Sequence, residues 1–522
     1  MTDTAWFAPT LLSFDGFISE WARAKPDVPA LIEDDRTLTF AGLEARTAQV
    51  VAALQSAGLG KGDRVAWLGK NSDLYFTLLY GAARLGVVMV PIGWRLSPTE
   101  IGYIVGDTEA RLFFAGPGFE EMARGVAATS PHVERVFSAE EARAWIDQAT
   151  RVEFEPAAPN EAVLQLYTSG TTGNPKGAVL SNQNLFGLRL PAADAGIPWS
   201  IWEDNEVALV AMPCAHIGGT GLGVMALEAG VPAYVLAEFT PDAVLDAVEK
   251  GGVTRFFMVP AALQLVINHP RTATTDFSRL KYIIYGAAPI PLELLRECIK
   301  VFGAKFIQAY GMTETTGTIV SLWPEDHDPN GSIRMRAAGR ALPGVELKVV
   351  DENGNEVPTG QVGELMTRSS NNMIGYWKLP EATAKTVTED GWIRTGDACY
   401  LDEDGYLFIH DRMKDMIITG GENVYPAEVE SAIYGHPAIA EVAVIGVPDE
   451  KWGEAVKAVC VAKPGAVIDE ADVIAWTRAK IAAFKVPKTI DVIAALPRNA
   501  SGKILRKDLR APYWAGYERQ VN

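Results

Sequence analysis

Apolar positions in the first third of the chain alternate between helical spacing and short unbroken runs. Leu43, Val50, Val51 and Leu54 fall on one helical face, and Gly58 marks the end of that helix. Val65-Ala66-Trp67-Leu68 is an apolar run that predicts a buried strand. Phe76, Leu78 and Leu79 predict a second helix ending near Gly86, and residues 87–90 predict the next strand, closed by Pro91. Strands apolar on both faces, alternating with helices, predict largely parallel sheets covered on both sides. Between about 339 and 409 the segments shorten. Turn signals at Asp351-Glu352-Asn353-Gly354 and Asp402-Glu403-Asp404-Gly405 separate strand-like runs, which predicts a small β-barrel-like or antiparallel subdomain. Beyond Asp415 the pattern changes again. Pro426 suits a first helical position, Val429 and Ile433 pair at i, i+4, and Gly435 ends the helix. Strands are predicted at 442–447, 456–462 and 490–493, with a helix at about 472–482. The expected class is α/β: a large N-terminal domain of parallel-type sheets with helices and the β-rich subdomain, then a small α+β C-terminal domain.

Length and charge narrow this picture. A chain of 522 residues is too long for one core and should divide into domains. With 48% hydrophobic and 21% charged residues it reads as globular rather than disordered. The net charge of −18 argues against nucleic acid as a partner. It also opposes anionic substrates at long range, so local charge must override the global field. A local excess of Lys and Arg after residue 471 could do so. Cys214, Cys298, Cys399 and Cys460 have no C-x-x-C spacing, so neither a zinc site nor a disulfide framework is expected. No run approaches the ~20 apolar residues of a membrane span, and Met1-Thr2-Asp3-Thr4 has no signal-peptide character. A cytoplasmic setting is expected. Peripheral membrane contact through a hydrophobic substrate is compatible with the chain, although no sequence feature calls for it.

The densest chemical signal is Y-T-S-G-T-T-G-N-P-K-G at residues 167–177. Thr168, Ser169, Thr171 and Thr172 interleave with Gly170 and Gly173, and Lys176 follows. Glycines let the backbone turn its N–H groups into one concavity, while hydroxyls and a lysine add donors and positive charge. This is a polyphosphate-holding loop. It is not the Walker pattern, because Pro175 precedes the lysine and Gly177 follows it. A loop of this composition could be merely flexible, but eleven specified positions flanked by apolar runs favour phosphate binding.

Four further segments follow in order: Gln308-Ala309-Tyr310-Gly311-Met312-Thr313-Glu314, Gly391-Trp392-Ile393-Arg394-Thr395-Gly396-Asp397, Asp411-Arg412-Met413-Lys414-Asp415 running on to Gly420-Gly421-Glu422-Asn423, and Pro497-Arg498-Asn499-Ala500-Ser501-Gly502-Lys503-Ile504. Together with the loop they closely resemble the adenylate-forming superfamily, most nearly its acyl-CoA ligases, over nearly the whole chain. The resemblance implies that a carboxylate attacks ATP to give an acyl-adenylate and pyrophosphate, after which the CoA thiol displaces AMP. The chemistry is positioning plus charge neutralisation.

The resemblance assigns roles to matching residues. The 168–177 loop holds the β- and γ-phosphates, with Thr168 and Glu314 counted among the catalytic groups. Glu314 is the carboxylate of the kind that takes Mg²⁺ beside phosphate oxygens. Gly286, Ala287, Ala288 and the run Gln308 to Thr313 line the nucleotide, with Tyr310 stacked on adenine. Asp397 and Arg412 hold the ribose, although an Asp after Thr-Gly can simply organise its own turn. Lys503 bridges the substrate carboxylate and the α-phosphate; a lone lysine in a Gly/Ser loop is otherwise usually just solvated. Lys414 is the hinge on which the C-terminal domain rotates, giving expected units of 1–411, a hinge at 412–415 and a mobile lid at 416–522. After rotation Thr419, Gly420, Gly421 and Glu422 border the CoA channel.

His216 with Ala215, Gly218, Gly219 and Gly286 is the expected acyl wall. Its small residues allow close helix packing or room for a medium- to long-chain or otherwise bulky apolar acid. No acidic residue lies in 207–227, which disfavours an amino-acid substrate. Alternatives are an aryl-acid CoA ligase, an adenylating enzyme that loads a carrier protein, a luciferase-like oxidative enzyme and a non-catalytic ligand-binding homologue. Dimers are common in the resembled family, but no interface is legible in the sequence.

Overall fold

A computed structural model describes residues 13–168, 174–328, 330–498 and 504–515. Two large sheets build the N-terminal part. In the nine-stranded sheet, Lys305–Met312, Tyr282–Gly286, Arg255–Met258, Ala208–Val210, Ala233–Val235 and Pro29–Glu33 run parallel in that order, with antiparallel strands at both edges. In the seven-stranded sheet, Ala162–Thr168, Val88–Ile92, Arg64–Leu68, Leu112–Ala115 and Arg135–Ser138 are parallel, and Lys176–Ser181 returns antiparallel beside Ala162–Thr168. The predicted helices form at Phe40–Ser56 and Asp73–Leu85. The second starts on Ser72, whose side chain accepts from the Leu74 amide, and stops at Gly86 in the left-handed region, φ 78°. Together with Ile217–Glu228 these helices share one core with both sheets. Pro91 does not close its strand. It lies inside Val88–Ile92 opposite Trp67, where the neighbour on the other side is in register only at Met89.

The β-rich subdomain is a four-stranded antiparallel sheet of Glu346–Val350, Gly363–Arg368, Ile393–Leu401 and Leu407–Arg412. The chain then enters a final five-stranded sheet dominated by the hairpin Ile439–Asp449 and Gly453–Ala462. Helix Pro426–Ile433 packs on it. Helix Glu470–Arg478 ends earlier than its apolar pattern predicts, because Ile481 turns in against the core after Arg478. All four cysteines are buried and free, and burial pushes the Cys298 thiol up to about 12. Among the described residues no helix is long and apolar enough to cross a membrane.

One buried charge pair sits against the nine-stranded sheet. Arg255 and Glu206 are each 1% exposed and meet at 2.9 Å. The guanidinium also lies 3.9 Å from the Trp202 ring centroid and donates to the Trp199 carbonyl at 2.7 Å. Glu206→Ala strands that guanidinium in the core and is expected to cost about 3–5 kcal/mol. A lower denaturation midpoint at unchanged slope checks this.

Candidate active site

The parallel strands Arg255–Met258, Tyr282–Gly286 and Lys305–Met312 end along one edge, and the candidate residues cluster beyond it. Crevices at the carboxyl ends of parallel strands are where α/β sheets hold ligands. Thr168 and Lys176 face each other across the hairpin that flanks the phosphate loop. Glu314 stands in the 3-10 turn Thr313–Thr315 and is 6% exposed. Its Oε1 accepts from the Tyr376 hydroxyl at 2.7 Å and from the Thr168 hydroxyl at 3.5 Å. Lys176 Nζ lies 5.0 Å from the Tyr376 ring centroid. Two of the expected phosphate-site residues, Thr168 and Lys176, therefore stand beside the Glu314–Tyr376 pair. Burial beside Glu314 pushes the Tyr376 hydroxyl well above its ordinary range, so it remains a donor. Ser169, Gly170, Thr171, Thr172 and Gly173 lie outside the described residues.

Among the described residues no cluster of three or more His, Cys, Asp or Glu could hold a metal ion. A lone buried carboxylate with neighbouring hydroxyls fits Mg²⁺ only as an ion that arrives with the nucleotide, since Mg²⁺ is commonly held by one or two carboxylates plus substrate phosphates and water.

A second cluster joins strands of two sheets. Asp397 pairs in register with Arg412, and its Oδ1 meets Arg412 Nε at 2.8 Å. Its Oδ2 accepts from the Tyr310 hydroxyl at 2.5 Å. Burial, then the adjacent Asp397 carboxylate, hold the Tyr310 hydroxyl far above its ordinary pKa. Asp397 is thus aimed and charge-balanced, as a carboxylate that accepts vicinal hydroxyls needs to be. Arg412 also donates to the Thr395 carbonyl at 3.1 Å.

The glycines here have identifiable packing reasons. A Cβ on Gly311 would lie 1.7 Å from the Gly317 carbonyl, at the bulge between Tyr310 and Gly311. One on Gly286 would lie 2.1 Å from the Ala309 carbonyl of the neighbouring strand. The strand then leaves through Ala287, held at φ 64°, and Ala288. Such a left-handed alanine is strained, and strain of this kind concentrates at functional sites. Gln308 accepts from the Tyr285 hydroxyl at 3.2 Å.

His216 caps helix Ile217–Glu228, its carbonyl accepting from the Gly219 and Thr220 amides, and Ala215 immediately precedes it. Of the two alternatives for the helix glycines, close packing holds at most of them. A Cβ on Gly218 would meet the Phe257 ring at 2.6 Å, and one on Gly223 the Phe76 ring at 2.3 Å. One on Gly219 would meet the Met212 and Pro213 carbonyls at 2.4 Å. Gly221 alone of these meets only Ile217, at an ordinary 3.7 Å. Ile217, Phe257, Ile284 and Met312 remain half-buried against the core, an apolar and uncharged surround.

Thr419, Gly420, Gly421 and Glu422 form a tight hairpin whose two glycines have φ 61° and 85°. Gly420 sits on Trp452, whose carbonyl accepts from its amide at 2.8 Å. Lys414 stands in the turn Met413–Asp415. Lys503 lies outside the described residues. A cleft of about 400 Å³ opens between the large domain and the C-terminal unit, walled by Trp94, Arg95, Phe239, Leu265, Glu441 and Arg498. Sequence reading did not single out this cleft, nor Tyr376 and Phe257. Tyr376 occurs in Ile374-Gly375-Tyr376-Trp377, a segment with no phosphate-binding composition of its own.

Thr168, at the end of one hairpin opposite Lys176, meets a buried glutamate, and the Asp397–Arg412 pair stands in a neighbouring sheet; the chain that carries them is an adenylate-forming ligase. The chain belongs to the AMP-binding enzyme family: that family's model matches residues 18–377, and the AMP-binding enzyme C-terminal domain matches 428–503. It is 42% identical to the fatty acid–[acyl-carrier-protein] ligase ScoC of Streptomyces coeruleorubidus, covering 96% of each chain. It is 37% identical to a feruloyl-CoA synthase of Amycolatopsis sp, covering 94% of this chain and 96% of the other. The crystal structure of ATP-bound MatB from Rhodopseudomonas palustris superposes with a TM-score of 0.85 at 32% identity, over 96% of this chain and all of that one.

Proposed function

We propose that this enzyme is an AMP-forming acyl-CoA ligase acting on an apolar, neutral carboxylic acid. The observation that carries the proposal is the convergence of Thr168 and Tyr376 on Glu314, with Lys176 over the Tyr376 ring, together with the Asp397–Arg412 pair. In the first half-reaction the substrate carboxylate oxygen attacks the α-phosphorus, the bond to the bridging oxygen breaks, and pyrophosphate leaves with that electron pair. Thr168 and Lys176 hold the outgoing phosphates. Asp397 and Arg412 hold the ribose, and Lys503 neutralises charge on the attacked phosphate. Bound Mg²⁺ would sit on Glu314 and offset phosphate charge. In the second half-reaction a thiolate attacks the acyl carbon and AMP departs. AMP is a good leaving group, so no enzyme nucleophile is needed.

CoA as the thiol is supported by the cleft at Trp94 and Arg95. There the Arg95 guanidinium lies 4.3 Å from the Trp94 ring, a surface of the kind adenine stacks on, while Lys70 and Arg498 are ion-paired with Glu238 and Glu441. The carrier-protein reading keeps its place because of the likeness to the Streptomyces coeruleorubidus ligase. Mass spectrometry of products decides between them. An acyl-CoA formed with free CoA supports the proposal, whereas acylation only of a phosphopantetheinylated carrier protein contradicts it.

Chain length should be read at Phe257. Its ring occupies the space beside Gly218, so it limits the acyl pocket. Phe257→Ala is expected to shift the preferred acid to longer chains, with about a tenfold kcat/KM gain for each methylene newly accommodated. A profile of kcat/KM against acid length checks it.

A further inference from the structure

Asp411 and Arg412 are consecutive on strand Leu407–Arg412, so their side chains leave on opposite faces. Arg412 turns to Asp397. Asp411 turns to the C-terminal unit, where its Oδ2 accepts from the Ala427 amide at 2.9 Å, in the first turn of helix Pro426–Ile433. Its Oδ1 accepts from the Arg412 amide at 2.8 Å and stands 3.6 Å from Arg506 Nη1. Arg506 opens helix Arg506–Trp514. Its Nη2 donates to both oxygens of Glu430 at 2.8 Å, and its Nη1 lies 3.8 Å from Asp415. Arg510, one turn further, donates to Asp415 at 3.1 Å. Asp411 is 8% exposed and the Arg506 side chain 17%. This is a half-dry node in which one guanidinium meets three carboxylates.

The members of the node differ in their position relative to the 412–415 hinge. Asp411 precedes it. Asp415, Ala427, Glu430, Arg506 and Arg510 lie within or beyond it. Rotation about the hinge would leave Arg506 on Glu430 but would separate both from Asp411. In sequence Arg506 is only three residues from Lys503.

We infer that Asp411 and Arg506 are positioning residues for adenylation, their contact holding the C-terminal unit on the large domain during the first half-reaction. The inference rests on the ligase reading and on the hinge. A purely structural ion pair would stabilise the fold without selecting a step. A step-selective one changes the rate of adenylate formation while leaving nucleotide affinity nearly alone, because the nucleotide contacts other than Lys503 belong to the large domain.

The test is acid-dependent ATP–pyrophosphate exchange in full-length Asp411→Asn, Arg506→Gln and the double variant, with Tm measured for each. Asparagine keeps the size and one acceptor but removes the charge. The expected result for Asp411→Asn is a kcat lower by about tenfold, with KM for ATP within about twofold and Tm unchanged. The double variant should lose no more than the worse single one, because the two groups act through each other. Additive losses overturn the inference, as does unchanged kcat. A rise in KM for ATP at constant kcat also overturns it, by making Asp411 a prop for Arg412. Asp411→Asn suffices if Arg506→Gln fails to fold. A wild-type protein that exchanges with no acid overturns the ligase reading itself, and the inference falls with it.

Discussion

Lys503→Ala is expected to lower adenylate formation on the order of 10²–10³-fold while leaving ATP binding within a few-fold. The attack brings a carboxylate up to a phosphate, so two anions must meet while a third, pyrophosphate, departs. A cation placed between the first two is worth most where their charges crowd, in the transition state. Removing it should therefore appear in kcat rather than in KM for ATP. The same variant, supplied with ready-made acyl-adenylate, should still pass the acyl group to the thiol, because that step requires no charge at the α-phosphate. Single-turnover measurement of both half-reactions checks this. Equal loss of both would mean that Lys503 supports the fold rather than the first step.

Glu314→Gln is expected to lower adenylation about 10²-fold and to raise the Mg²⁺ concentration needed for half-maximal rate. The amide preserves the shape of the site and can still accept from Tyr376, so the loss isolates the charge. Tyr376→Phe removes only the hydroxyl that donates to Glu314 at 2.7 Å. It should cost on the order of tenfold, the lower end of the scale of one charge-assisted hydrogen bond. A Mg²⁺ titration of exchange activity separates the two variants. An unchanged Mg²⁺ requirement in Glu314→Gln would remove Glu314 from the metal's surroundings.

The parts of the site that could be read in the sequence are those written contiguously. The 167–177 run points to phosphate by its own composition, whereas the Tyr310-to-Glu314 run and Thr395-Gly396-Asp397 were legible through their resemblance to a family. Helix ends at Gly86 and Gly435 were legible for the same local reason: a left-handed residue after an apolar periodicity. The remainder depends on convergence. Tyr376 reaches Glu314 because Gly375–Tyr376 pairs with Lys176–Ser181, an edge contact that no local pattern announces. The small residues of Ile217–Glu228 left close packing and open space as alternatives; Phe257, distant in sequence, beside Gly218 and the Met212 and Pro213 carbonyls beside Gly219 account for two of them by packing. Helix Arg506–Trp514 escaped because it is short, polar and interrupted by Pro512, a residue that argues against a helix interior. It brings ion pairs to the hinge and packs Leu509, Tyr513 and Trp514 against the C-terminal sheet.

The central claim is that this site joins a neutral apolar carboxylate to AMP. Its most direct test is carboxylate-dependent ATP–pyrophosphate exchange across short, medium and long fatty acids, aryl acids and bulky alicyclic acids, with an amino acid as control. Exchange with one class of apolar acids, Mg²⁺-dependent and silent with the amino acid, is the predicted result. Binding of ATP with no exchange for any acid would contradict the account and leave a ligand-binding homologue on a ligase fold.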